Sequence, residues 1–168
     1  MHATLQKILL VLIAAFAFSV HAEEIKTIET CKLEGTLFLN QWTQIYCDSD
    51  LQVADGARIV TNGFELNIAT AGSLKMDGAF EIKAFDSIKG LNQEAARVTL
   101  LILGTATGNL KIENCGRSTK DMGHDVSVEV ITAAGLELEL TLDQAHAGYA
   151  FSVDNQLQTV PAADCAAL

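Results

Sequence analysis

The stretch Ala54-Asp55-Gly56-Ala57-Arg58-Ile59-Val60-Thr61-Asn62-Gly63-Phe64-Glu65-Leu66-Asn67-Ile68-Ala69-Thr70-Ala71-Gly72 decides the fold. It changes direction at Asp55-Gly56, at Asn62-Gly63 and at Ala71-Gly72, and both residues of the first two pairs tolerate positive φ. Between turns, Phe64, Leu66 and Ile68 alternate with Glu65 and Asn67, the period of a half-buried strand. The same rhythm continues on both sides. Leu37 with Leu39, Leu51 with Val53, Leu74 with Met76, and Phe80 with Ile82 each share a side. So do Val98, Leu100 and Ile102, then Leu110 and Ile112, Val126 to Val130, Leu136 to Leu142, and Tyr149 to Val153. The fold class this predicts is all-β.

Two all-β architectures suit the pattern. In an antiparallel meander or sandwich each turn closes a hairpin. A two-residue loop at Asn62-Gly63 opposes Ile59 to Leu66, and a three-residue loop at Ala54-Asp55-Gly56 opposes Val53 to Ala57 and Leu51 to Ile59. Both registers keep the apolar residues on one side. In a parallel β-solenoid, short strands wind into coils that stack. From Leu37 to Ala84 the strand centres fall about seven residues apart, so three strands make a coil of about twenty-two residues. Leu66-Asn67-Ile68-Ala69-Thr70-Ala71-Gly72 recurs as Leu110-Lys111-Ile112-Glu113-Asn114-Cys115-Gly116, with leucine, isoleucine and glycine at the same offsets. The recurrence, the single proline and the 6% aromatic content favour the parallel β-solenoid, with the antiparallel sandwich or meander as the alternative. An outer-membrane barrel would need longer strands, of about nine to eleven residues, and aromatic girdles.

Met1 to Ala22 has the form of a signal peptide: Lys7, then the apolar Ile8 to Phe18, then small residues ending at Ala22. That apolar run is about half of the roughly twenty residues a spanning helix needs, so membrane insertion is not expected. The predicted organisation is a signal peptide over 1–22 and a single all-β domain over 23–168. The implied location is the bacterial periplasm or the exterior. A net charge of −10 repels phosphate backbones, which disfavours nucleic acid as a partner. Cys31, Cys47, Cys115 and Cys165 would meet an oxidising compartment, where they are expected as Cys31–Cys47 and Cys115–Cys165 disulfides.

Candidate ligand-binding residues lie in two places. Trp42, Gln44, Tyr46 and Asp48 share one parity, so if Ile45 and Cys47 are buried they form an outer strip of aromatic, amide and carboxylate groups. Sugar rings stack on aromatic faces while polar neighbours bond their hydroxyls. With the opposite parity, Trp42 and Tyr46 are core. The long polar segment Glu113 to Asp125 offers Arg117 and Lys120 to an anion and Asp121, His124 and Asp125 to a divalent metal. Asp48, Asp50 and Asp55 form an acidic group that lacks the spacing of a calcium loop and suits turns.

No Gly-x-Ser-x-Gly, His-Glu-x-x-His or phosphate-loop pattern occurs, and no cofactor is expected. The functional expectation is an exported binding or adhesion module for a glycan or envelope polymer. The alternatives are a self-associating structural protein and a small enzyme centred on residues 115–125.

Overall fold

A computed structural model of the chain describes residues 25–84, 96–114, 128–132, 135–142, 149–153, 156–158 and 162–164, and the structural statements below concern these. They form strands and no helix: β1 (Lys26–Glu29), β2 (Lys32–Leu33), β3 (Thr36–Phe38), β4 (Thr43–Cys47), β5 (Leu51–Val53), β6 (Arg58–Val60), β7 (Leu66–Thr70), β8 (Leu74–Lys83), β9 (Val98–Ile102), β10 (Ala106–Asn114), β11 (Val128–Thr132), β12 (Leu136–Leu142), β13 (Tyr149–Val153), β14 (Gln156–Gln158) and β15 (Ala162–Asp164). The all-β expectation is met.

The arrangement of the strands departs from both architectures drawn from the sequence. One sheet has seven strands in the order β1-β4-β7-β9-β11-β13-β14. The other has eight, running β15-β12-β10-β8-β5-β2, with β6 and then β3 joined beside β8. The structure is therefore two parallel sheets and not the expected β-solenoid. The coil required three short strands per turn. Instead Leu74–Lys83 continues through Asp77-Gly78 as one strand of ten residues, because Gly78 adopts no positive φ. Its register absorbs the irregularity: β8 advances from Lys75 to Ala79 while β10 advances only from Thr107 to Asn109. Ala106–Asn114 and Leu136–Leu142 are likewise long single strands. Nor is the chain offset between partners constant, since Thr43 aligns with Leu66 but Leu66 aligns with Val98.

The antiparallel sandwich is also excluded, because only β13 and β14 pair antiparallel among the described strands. Leu51 aligns with Leu74 and Val53 with Met76, rather than with Ile59 and Ala57. Ile59 aligns with Ile82, and Leu66 with Thr43 and Val98. The turns at Asp55-Gly56 and Asn62-Gly63 are corners that carry the chain onward instead of folding it back. Gly56 (φ 71), Asn62 (φ 52) and Gly63 (φ 85) still supply the left-handed backbone that a sharp corner needs. Asn62 reinforces its corner by donating from Nδ2 to the Leu39 carbonyl at 2.9 Å.

The side-chain parity read from the sequence fills the core. Ile45, Leu66, Ile68, Val98, Leu100, Val128 and Val130 of the first sheet share one buried cluster with Leu51, Val53, Leu74, Phe80, Ile82, Leu110 and Ile112 of the second. Each such side chain contributes about 1.5–3 kcal/mol relative to exposure. A disulfide joins Cys31, just after β1, to the end of β4 at Cys47, as expected. With a sequence separation of 16 it stabilises by about 3 kcal/mol in the chain-entropy account. The expected Cys115–Cys165 pair lies outside the described residues.

Candidate functional site

On β4 the choice of parity is decided. Thr43, Ile45 and Cys47 are buried, and Gln44 and Tyr46 stand on the outer face, half-buried. Parallel register then gives these two side chains their neighbours. Gln44 aligns with Thr27 on β1 and Asn67 on β7; Asn67 aligns with Thr99 on β9, and Thr99 with Glu129 on β11. The outer face thus carries a row of hydroxyl, amide and carboxylate side chains across five strands, spaced by the roughly 4.8 Å of strand pairing. Beside it runs a second row in which Tyr46 lies between Glu29 and Ala69, followed by Leu101 and Ile131. The small Ala69 leaves room on that flank of the Tyr46 ring.

Trp42 precedes β4 and is half-buried. Its carbonyl accepts the Lys26 N–H at 2.9 Å, and its indole Nε1 is enclosed without a hydrogen-bond acceptor. What Trp42 shows to water therefore excludes its one polar side-chain atom. Asp48 follows β4 and is exposed. Its carboxylate, with the sulfurs of Cys31 and Cys47, lies within a 4.8 Å cluster. Both sulfurs are consumed in the disulfide, however, and only thiolates ligate metal strongly. Asp50 and Asp55 serve the scaffold. The Lys75 ammonium, 2.5 Å from Asp50 Oδ2, holds the Asp50 carboxyl below the usual carboxylate range, helped by the Ser73 N–H at 2.8 Å. Asp55 packs its carboxylate over Gly78, where a Cβ would collide with it.

No family model matches the chain, and neither a curated protein nor a solved structure does. The reading of the site accordingly rests on its geometry.

The second sheet carries a feature that the sequence left unread. Arg58, Glu81, Lys111 and Glu139 align on β6, β8, β10 and β12, alternating in sign. With Asn109 they border a shallow groove of about 340 Å³ floored by Gly56, Ala57 and Ala79. Most of these groups satisfy one another: Arg58 Nε meets Glu81 Oε2 at 2.5 Å, and Asn109 Nδ2 donates to Glu139 Oε1 at 3.1 Å. Opposite charges in cross-strand register contribute about 0.2–1 kcal/mol per pair, so the ladder works as scaffold. Each residue's outward parity was visible beside Ile59, Ile82, Ile112 and Leu140, but their alignment depends on register.

Of the site residues read from the sequence, Trp42, Gln44, Tyr46 and Asp48 are gathered on and around β4. Arg117, Lys120, Asp121, His124 and Asp125 lie outside the described residues.

Proposed function

We propose that the chain is a binding module of the cell envelope or exterior, whose ligand surface is the outer face of the first sheet around Trp42, Gln44 and Tyr46. The observation that carries this reading is the register row Thr27–Gln44–Asn67–Thr99–Glu129 running beside Tyr46. A register-aligned, repeating set of donors and acceptors suits an extended, hydroxyl-rich polymer, and an adjacent aromatic offers a surface for a sugar ring. The chemical class is a glycan or a similar envelope polymer. Binding, rather than catalysis, fits a face whose polar groups stand on rigid strands with no nucleophile and base brought together among them.

The test is retention on a panel of immobilised glycans, with the single tryptophan as the optical reporter. A retained glycan is expected to change Trp42 emission. Tyr46→Ala and Gln44→Ala are each expected to weaken retention about tenfold or more, since losing a stacking or hydrogen-bonding anchor costs roughly 1–3 kcal/mol. Retention unaltered by both variants would refute the assignment.

A further inference from the structure

The charges on the outer face of the second sheet have a symmetry of their own. Arg58, Glu81, Lys111 and Glu139 stand side by side on β6, β8, β10 and β12 in parallel register. Their strand neighbours Ile59, Ile82, Ile112 and Leu140 are buried, so all four charged residues face away from the core. Across the strands the signs run plus, minus, plus, minus, and they invert about the line midway between β8 and β10. The inversion recurs two residues further along, where Lys83 on β8 aligns with Glu113 on β10.

Only part of this charge is used within the chain. Arg58 pairs with Glu81, whereas Lys83, Lys111 and Glu113 form no ion pair among the described residues and are no more than half-buried. Arg58, Lys83 and Lys111 balance Glu81, Glu113 and Glu139, which makes this face neutral on a chain whose net charge is −10. A second copy therefore meets less repulsion here than on a uniformly acidic surface.

We propose that this face docks a second copy of the same chain, face to face, about a two-fold axis running parallel to the strands between β8 and β10. That rotation sets Glu81 of each copy against Lys111 of the other, Arg58 against Glu139, and Lys83 against Glu113. The small Ala79, aligned with Asn109 across the same line, gives the Asn109 of the other copy room to approach. A two-fold axis laid across the strands through this row would oppose Arg58 to Arg58 and Lys111 to Lys111, so charge alone selects the axis. Sheet twist confines close approach to the columns beside the axis, which gives Glu81 and Lys111 the leading part. The first sheets of both copies, with Tyr46, stay on the outside of the pair.

The experiment is sedimentation velocity on the full chain, in the form the expressing cells produce, from about 1 to 500 μM, a range spanning ordinary dimer affinities. A concentration-dependent monomer–dimer equilibrium is expected at physiological salt. Repulsion between distant charges is already screened there beyond roughly 8 Å, so raising the salt to about 1 M chiefly removes the facing attractions and is expected to weaken association about fivefold or more. Lys111→Glu opposes carboxylates and Glu81→Lys opposes ammonium groups, and each is expected to weaken association at least about tenfold. Mixed in equal amounts, the two variants regain both unlike pairs in a heterodimer and are expected to associate as the wild type does. Circular dichroism establishes that each variant keeps its fold, and the wild-type salt response tests the proposal without them. A wild-type chain monomeric throughout the range, or a dimer strengthened by salt, overturns the proposal. So do folded single variants that dimerise like the wild type, or a mixture of them that associates no better than either alone.

Discussion

Asp50 illustrates how single residues on this scaffold divide between structure and function. Its carboxyl is held low by Lys75 and by the Ser73 N–H, so it stays charged in the fold to lower pH than in the unfolded chain. The stability it contributes is thus present above the ordinary aspartate value near 4 and is lost as pH falls through the depressed folded value. Asp50→Asn is expected to lower the melting temperature at pH 7 and to shrink the further fall between pH 7 and pH 3; melts at both values check this. Two glycines separate steric from conformational need. A Cβ on Gly72 would stand 2.6 Å from the Asp50 backbone nitrogen and the Ser49 carbonyl carbon, whereas one on Gly56 would meet nothing within 4 Å. Gly72→Ala is expected to cost about 2–3 kcal/mol by forcing backbone apart. Gly56→Ala should cost about 1–2 kcal/mol, from positive φ alone. Urea denaturation measures both, and equal costs would contradict the account. At this scale the sequence was most legible, because burial of Ile45, Leu66 and Ile68 follows from alternation whatever the strands pair with.

Register belongs to the element scale, and there the sequence said least. The corners at Asp55-Gly56 and Asn62-Gly63 carry residues that also close hairpins, and both placements keep Ile59 and Leu66 on the core side. Parity therefore could not separate a parallel neighbour from an antiparallel one. Nor did alternation reveal that Leu74–Lys83 would pass Asp77-Gly78 without a corner, which turns the expected three-strand coil into two sheets. Backbone nuclear Overhauser contacts distinguish the outcomes. Contacts between Leu51 and Leu74 and between Ile59 and Ile82 are expected, and a Leu51 to Ile59 contact would restore the hairpin. The row beside Tyr46 and the charge ladder on the second sheet were hidden for the same reason: their members lie on strands whose alignment only the fold supplies.

For the molecule as a whole, a core shared between two parallel sheets leaves two broad outer faces. The faces differ in chemistry. On the second sheet Arg58 pairs with Glu81 and Asn109 with Glu139, while on the first Thr27, Gln44, Asn67 and Thr99 line up next to an aromatic residue. That asymmetry is the reason for assigning ligand binding to the first sheet. The most direct test is two-dimensional NMR of the labelled protein titrated with a glycan that it retains. Saturable shifts concentrated at Thr27, Gln44, Tyr46, Asn67 and Thr99, with Arg58, Glu81, Lys111 and Glu139 unmoved, are the predicted result. Shifts centred on the second sheet, or confined to residues 115–125, would contradict it.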